Sequence, residues 1–124
     1  MLRDWRLFLD DMADCCRKLM EYRQRTNRTE FDERGMAFDA IVRNVEVLGE
    51  AAGKLPEHVR NAAPKVPWEA IIGMRHRIAH GYFGIDPDIL WDVVEHEVPL
   101  LIEELYALRA RISTGEIPLS QGKE

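Results

Sequence analysis

The chain has 124 residues, with 17 Lys+Arg against 22 Asp+Glu and a formal net charge of −5. That length suits one domain able to bury a core without metal or disulfide staples, and the acidic balance argues against a general nucleic-acid coat protein. A charged fraction of 31% is ordinary and excludes wholesale disorder.

Both cysteines, Cys15 and Cys16, are adjacent, so no intrachain disulfide framework is expected, which fits a reducing cytosol. Charge arrives at Arg3 and Asp4, too early for the apolar core of a signal peptide. No run of about 18 apolar residues is present to cross a membrane. The expectation is a cytoplasmic chain.

In chain order, residues 2–25 read as a helix, because Trp5, Phe8, Leu9, Met12, Cys16 and Leu19 recur at spacings of three and four. Arg17, Lys18, Arg23, Arg25 and Arg28 crowd its end. They suit either a solvated terminus that complements the helix dipole or a landing strip for phosphates. Thr29 with Asp32 resembles a helix start, and a second long helix is expected over 31–54 with Phe38, Ile41, Val42, Val45, Leu48 and Ala52 as its apolar stripe. Pro56, Pro64 and Pro67 leave room for a short helix only, over 57–62. A third long helix is expected over 68–80, ended by Gly81. Asp86 and Pro87 read as N-cap and first helical residue of a fourth, over 86–112, with a kink at Pro99 where the bond to the Glu95 carbonyl is lost. The reading is one all-α domain over 1–112, an up-and-down bundle of four long helices plus a short helix, then a polar, flexible tail over 113–124.

One stretch departs from plain amphipathic helix: Met74, Arg75, His76, Arg77, Ile78, Ala79, His80, Gly81, Tyr82. Two of the chain's four histidines fall here with two arginines. Three chemistries compete. Histidines at i and i+4 can grip zinc, yet the position after the first histidine is Arg77 rather than the glutamate of HExxH, and the arginines oppose a cation. The imidazoles can instead cap backbone or decorate the surface. The third is metal-free phosphodiester cleavage: histidine moves protons near neutral pH, arginine holds a phosphate, and RNA supplies its own 2′-hydroxyl nucleophile. Arg75 and His80 would fill those roles, with His76 or a second copy's His80 protonating the leaving oxygen.

Arg75, His80 and Tyr82 together match the RxxxxHxY signature of HEPN domains, and the chain resembles the HepT-like family in particular. The stretch from Arg43 through Asn44, Glu46 and Gly49 to Ala52 resembles the family's second-helix block, and Trp68 to Met74 and Tyr82 to Asp86 flank the motif as they do in members. The resemblance implies a helical bundle that forms a homodimer with the motifs facing one cleft. It implies a metal-independent endoribonuclease without cofactor, the toxin of a toxin–antitoxin pair, with RNA as substrate. Arg75 and His80 would be the catalytic pair and His76 a supporting residue. A minimal nucleotidyltransferase antitoxin would silence the toxin by transferring AMP to Tyr82, adding bulk and negative charge where the RNA phosphate must sit. The other reading is a non-catalytic HEPN module that binds nucleotide or RNA, or serves as scaffold for a nucleotidyltransferase.

Secondary candidates are Arg43, Asn44, Glu46 and Glu50, able to orient the catalytic arginine or touch RNA, or equally to form a salt-bridged surface. His58 and His96 read as incidental. Between Asp86 and Glu104 lie seven acids and no Lys or Arg, a run that would repel RNA and reads as a solvated face, or as a receiver for a basic surface of the antitoxin.

Overall fold

The computed structural model describes residues 3–80 and 85–120, with the side chains of 75–80 outside that description. Helix α1 spans Trp5–Arg25. Asp4 caps it by accepting from the Arg6 N–H at 2.9 Å, and the Arg6 guanidinium bound to the same carboxylate holds the Asp4 acid down at about 2. Most of the expected stripe is inside: Leu9, Met12, Cys16 and Leu19 are buried, joined by Ala13 and Cys15, while Trp5 and Phe8 at the helix start are half-buried.

The second long helix is two helices, which corrects its expected start. Helix α2, Arg28–Asp32, begins at Asn27, whose side chain accepts from the Glu30 N–H at 2.8 Å while the Glu30 carboxylate accepts from the Asn27 N–H at 3.3 Å. This reciprocal box, two residues earlier than Thr29 and Asp32, satisfies two donors at once. The chain then turns back through Arg34 at φ 58°, and helix α3 spans Met36–Gly53. The reversal lets the fully buried Phe31 ring pack against Phe38 and Trp91, each with centroids 5.0 Å away.

A short helix α4, Glu57–Asn61, lies between the prolines. Helix α5 spans Trp68–His80; its buried Trp68 donates from Nε1 to the Ala63 carbonyl at 3.0 Å, tying the helix start to the proline-rich connection. Helix α6, Pro87–Asp92, is capped by Asp86 as expected, at 2.9 Å to the Asp88 N–H. It continues through a π-helical turn, Val93–Glu97, into helix α7, Val98–Ser113. The proline's disturbance takes that form: Pro99 has no N–H for the Glu95 carbonyl, and just before it the Val98 N–H reaches back five residues to the Val93 carbonyl.

Helix α1 packs against α3 and α7, and α3 packs against α5, so α3 is the central element supporting the motif helix. One apolar cluster runs through all of them. Beyond α7, residues 114–120 are held to the bundle: Ile117 is buried, Arg111 pairs with Glu116 at 2.8 Å, the Trp5 Nε1–H donates to the Leu119 carbonyl at 3.0 Å, and His58 Nε2 lies 2.8 Å from the Pro118 carbonyl. No described helix is long and apolar enough to cross a membrane.

Candidate active site

The motif rides on α5. Its backbone is α-helical through His80, so Arg75 and His80 stand about 140° apart around the axis and about 7.5 Å along it. Arg75 takes the register of the buried stripe, four residues after Ile71 and seven after Trp68. His76 and His80 share another register, one turn apart. The side chains of Arg75, His76 and His80, and the whole of Tyr82 and Gly81, lie outside the described residues. With the helix regular to its end, convergence of Arg75 and His80 on one anion requires the long guanidinium to reach round or a second copy to contribute.

The chain leaving the motif is anchored on its far side by Arg34. Its Nη2 donates to the Ile85 carbonyl at 3.3 Å, and its guanidinium lies 4.9 Å over the Phe38 ring. Asp86 then caps α6, so the segment carrying Tyr82 is bounded by α5 and by this clamp. Arg34 was missed from sequence. The expected helix over 31–54 runs straight through this position, and nothing in the sequence marks the arginine as a left-handed residue.

The secondary candidates sit on α3. Arg43 is well exposed and pairs with Glu46 at 3.2 Å, Asn44 donates to the Ala40 carbonyl of its own helix at 2.9 Å, and Glu50 is exposed. The basic end of α1 is occupied by protein partners. Arg17 bonds Asp14 and Tyr106, Arg25 pairs with Glu21 at 2.9 Å, and Arg28 bridges Asp32 and Asp88. Arg23 reaches Glu95 at 3.2 Å with its guanidinium 4.3 Å over Trp91. Arg23 and Arg28 fasten α1 and α2 to α6 and the π-turn, Arg17 ties α1 to α7, and Arg25 stays within α1, which favours the structural over the phosphate reading. Lys18 makes no ion pair among the described residues.

Burial pushes the Cys15 thiol up to about 11 and Cys16 to about 12, so neither is a thiolate nucleophile near neutral pH. His96 Nδ1 sits 2.8 Å from the Asp92 carboxylate on the surface, and His58 serves the chain end as described above.

An all-helical bundle whose α5 carries an arginine and, five residues on, a histidine defines a HEPN-type domain. Residues 12–108 match the model of the family described as "Ribonuclease HepT-like", and the chain belongs to that HepT-like ribonuclease family. It is 35% identical over 103 residues to a Methanocaldococcus jannaschii protein named "Putative RNase", covering 83% of this chain and 85% of the relative. It is 33% identical over 100 residues to a "Putative RNase" of Caldanaerobacter subterraneus, covering 81% and 89%. Against the "Probable ribonuclease HepT" of Thermococcus cleftensis it is 28% identical over 109 residues, covering 88% and 99%. No solved structure matches the chain.

Proposed function

We propose that the chain is the endoribonuclease toxin of a toxin–antitoxin pair, cutting RNA without metal at a cleft between two copies. The observation that carries this reading is the family match across 12–108, which includes the whole of α5 with Arg75 and His80. Arg75 holds the scissile phosphate and stabilises charge as it builds on the phosphoryl oxygens. His80 takes the proton from the 2′-hydroxyl as that oxygen attacks phosphorus. His76, or the second copy's His80, gives a proton to the departing 5′-oxygen. The products are a 2′,3′-cyclic phosphate and a 5′-hydroxyl. Arg43, Asn44, Glu46 and Glu50, on the helix that packs against α5, would orient the arginine or contact RNA, and the Arg43–Glu46 pair suits a salt-bridged helix surface equally well.

Silencing by a minimal nucleotidyltransferase antitoxin follows from the same chemistry. The Tyr82 phenol attacks the α-phosphorus of ATP, loses its proton, and releases pyrophosphate. The AMP ester then places a negative phosphate and a nucleoside where substrate must enter. After incubation with such a partner and ATP, the intact chain is expected to gain one or more AMP masses. A Tyr82→Phe variant that gained as much would overturn the assignment.

Cleavage is tested with the purified chain, a mixed RNA substrate and excess chelator. Cutting is expected to persist in the chelator and to fall about 100-fold or more in Arg75→Ala and in His80→Ala. Variants that cut as well as the parent would leave a nucleotide- or RNA-binding scaffold as the better reading.

A further inference from the structure

A groove of about 570 Å³ runs between the first half of α5 and the π-turn and α7. Its floor is apolar, with Val45 from α3, Ile71 and Met74 from α5 and Leu101 from α7. Its charged wall is predominantly acidic, with Asp92, Glu97, Glu103 and Glu104 against a single described basic residue, Lys65, and Leu100 stands at its edge 63% exposed. Single exposed leucines need no explanation, but one beside a concave apolar floor extends that floor outward.

The charges narrow the occupant. Glu97, Glu103 and Glu104 make no ion pair among the described residues, while arginines elsewhere, such as Arg23, Arg28, Arg109 and Arg111, are paired with acids outside the groove. RNA would meet this wall as a repulsive surface. A second copy seated groove to groove would set four carboxylates against four with only one Lys65 from each copy to answer them, because a two-fold contact repeats one patch on both sides. A neutral small molecule would fill the floor and leave the acids unanswered. An amphipathic helix answers both parts. Aliphatic residues at i, i+3, i+4 and i+7 enter the floor, and Lys or Arg on the flank meet the wall.

We propose that this groove is the docking site for a cationic amphipathic helix of a partner protein. The occupant would lie directly against the motif helix, since Met74 of the floor immediately precedes Arg75. The proposal does not depend on the ribonuclease reading.

The probe is a fluorescein-labelled helical peptide of about 18 residues with a leucine stripe flanked by lysines, compared with its Lys-to-Glu counterpart. Anisotropy titrations of the full chain are expected to give binding about tenfold or more tighter for the lysine peptide. Leu100→Gln should weaken it about tenfold, and Glu103→Lys with Glu104→Lys should cancel the preference for lysine. Glu33→Lys with Glu57→Lys changes net charge equally on exposed positions outside the groove and should leave the preference intact. In amide NMR spectra the peptide should shift Met74, Leu100 and Glu103. Circular dichroism checks that each variant is folded. Equal binding of both peptides, or equal weakening in the Glu33/Glu57 variant, would overturn the proposal. So would self-association of the chain that Leu100→Gln abolishes, which would make the occupant a second copy.

Discussion

Arg23 shows how a basic cluster visible in sequence can serve structure rather than ligand. Its guanidinium is held between the Trp91 face and the Glu95 carboxylate, with about a third of each charged side chain exposed. A partly exposed ion pair contributes at most about 1 kcal/mol, and the cation–π contact adds a similar amount. Arg23→Gln is therefore expected to lower unfolding stability by about 1 kcal/mol in urea titration while leaving RNA cleavage unchanged; a large loss of cleavage in a stable variant would return the α1 terminus to the list of RNA contacts. The adjacent cysteines make a similar point. Cys15 and Cys16 are buried, and at pH 8 a thiol raised to about 11 is thiolate in only about one molecule in a thousand. Native protein should thus be nearly inert to a thiol-specific disulfide reagent at pH 8, and unfolded protein should react at both positions. The sign follows from the shift: folding raises these thiols, so any stability they carry is present below the unfolded-state value near 9 and is lost as pH rises toward 11. Fast labelling of the folded chain would show that α1 opens at its centre.

At the scale of elements, the start of α2 is the point where local chemistry outranked the apolar stripe. Asn27→Ala removes the side-chain half of the capping box and should cost about 1 kcal/mol, read as a lower urea midpoint with unchanged slope. Thr29→Ala, at the expected but incorrect cap, should change little. The long helices were legible because three-to-four periodicity reports which face is buried: the stripe of α3, and that of α1 from Leu9 onward, lie inside as read. The break at Arg34 was not legible, because a non-glycine residue at positive φ carries no sequence mark. What holds it there is tertiary, the Ile85 carbonyl and the Phe38 ring, both remote in sequence or across the turn. Pro99 announced a disturbance in the last helix, and its form, a π-turn, depended on how α6 and α7 keep continuous burial through Leu90, Val94 and Val98. Ile117 was hidden for the opposite reason, since a lone apolar residue in a polar stretch has no period to betray it. The residues of the candidate site were legible as a pattern on α5; what would bring Arg75 and His80 to one anion was not, because spacing alone sets their separation rather than what closes it.

For the whole molecule, the helical geometry of α5 turns the proposed chemistry into a question of copy number. Arg75 and His80 are about 140° apart on a regular helix, so a two-fold seam that faces two α5 helices can pair the arginine of one copy with the histidine of the other. Arg75→Ala and His80→Ala, each inactive alone, provide the test. When the two variants are unfolded together and refolded as a mixture, about half of the dimers formed at random carry one of each chain. Such a dimer retains one Arg75, one His80 and both His76 residues across the seam. Cleavage is expected to reappear in the mixture, reaching a sizeable fraction of parent activity per mixed dimer, and to stay absent in each variant refolded alone. Recovery would also assign the leaving-group proton to His76, because only one His80 remains. A mixture that sediments as a dimer and stays inactive would mean that one intact pair across the seam is not enough, and the shared-cleft mechanism would then have to give way to a pair working within each chain or to a demand for both histidines at position 80.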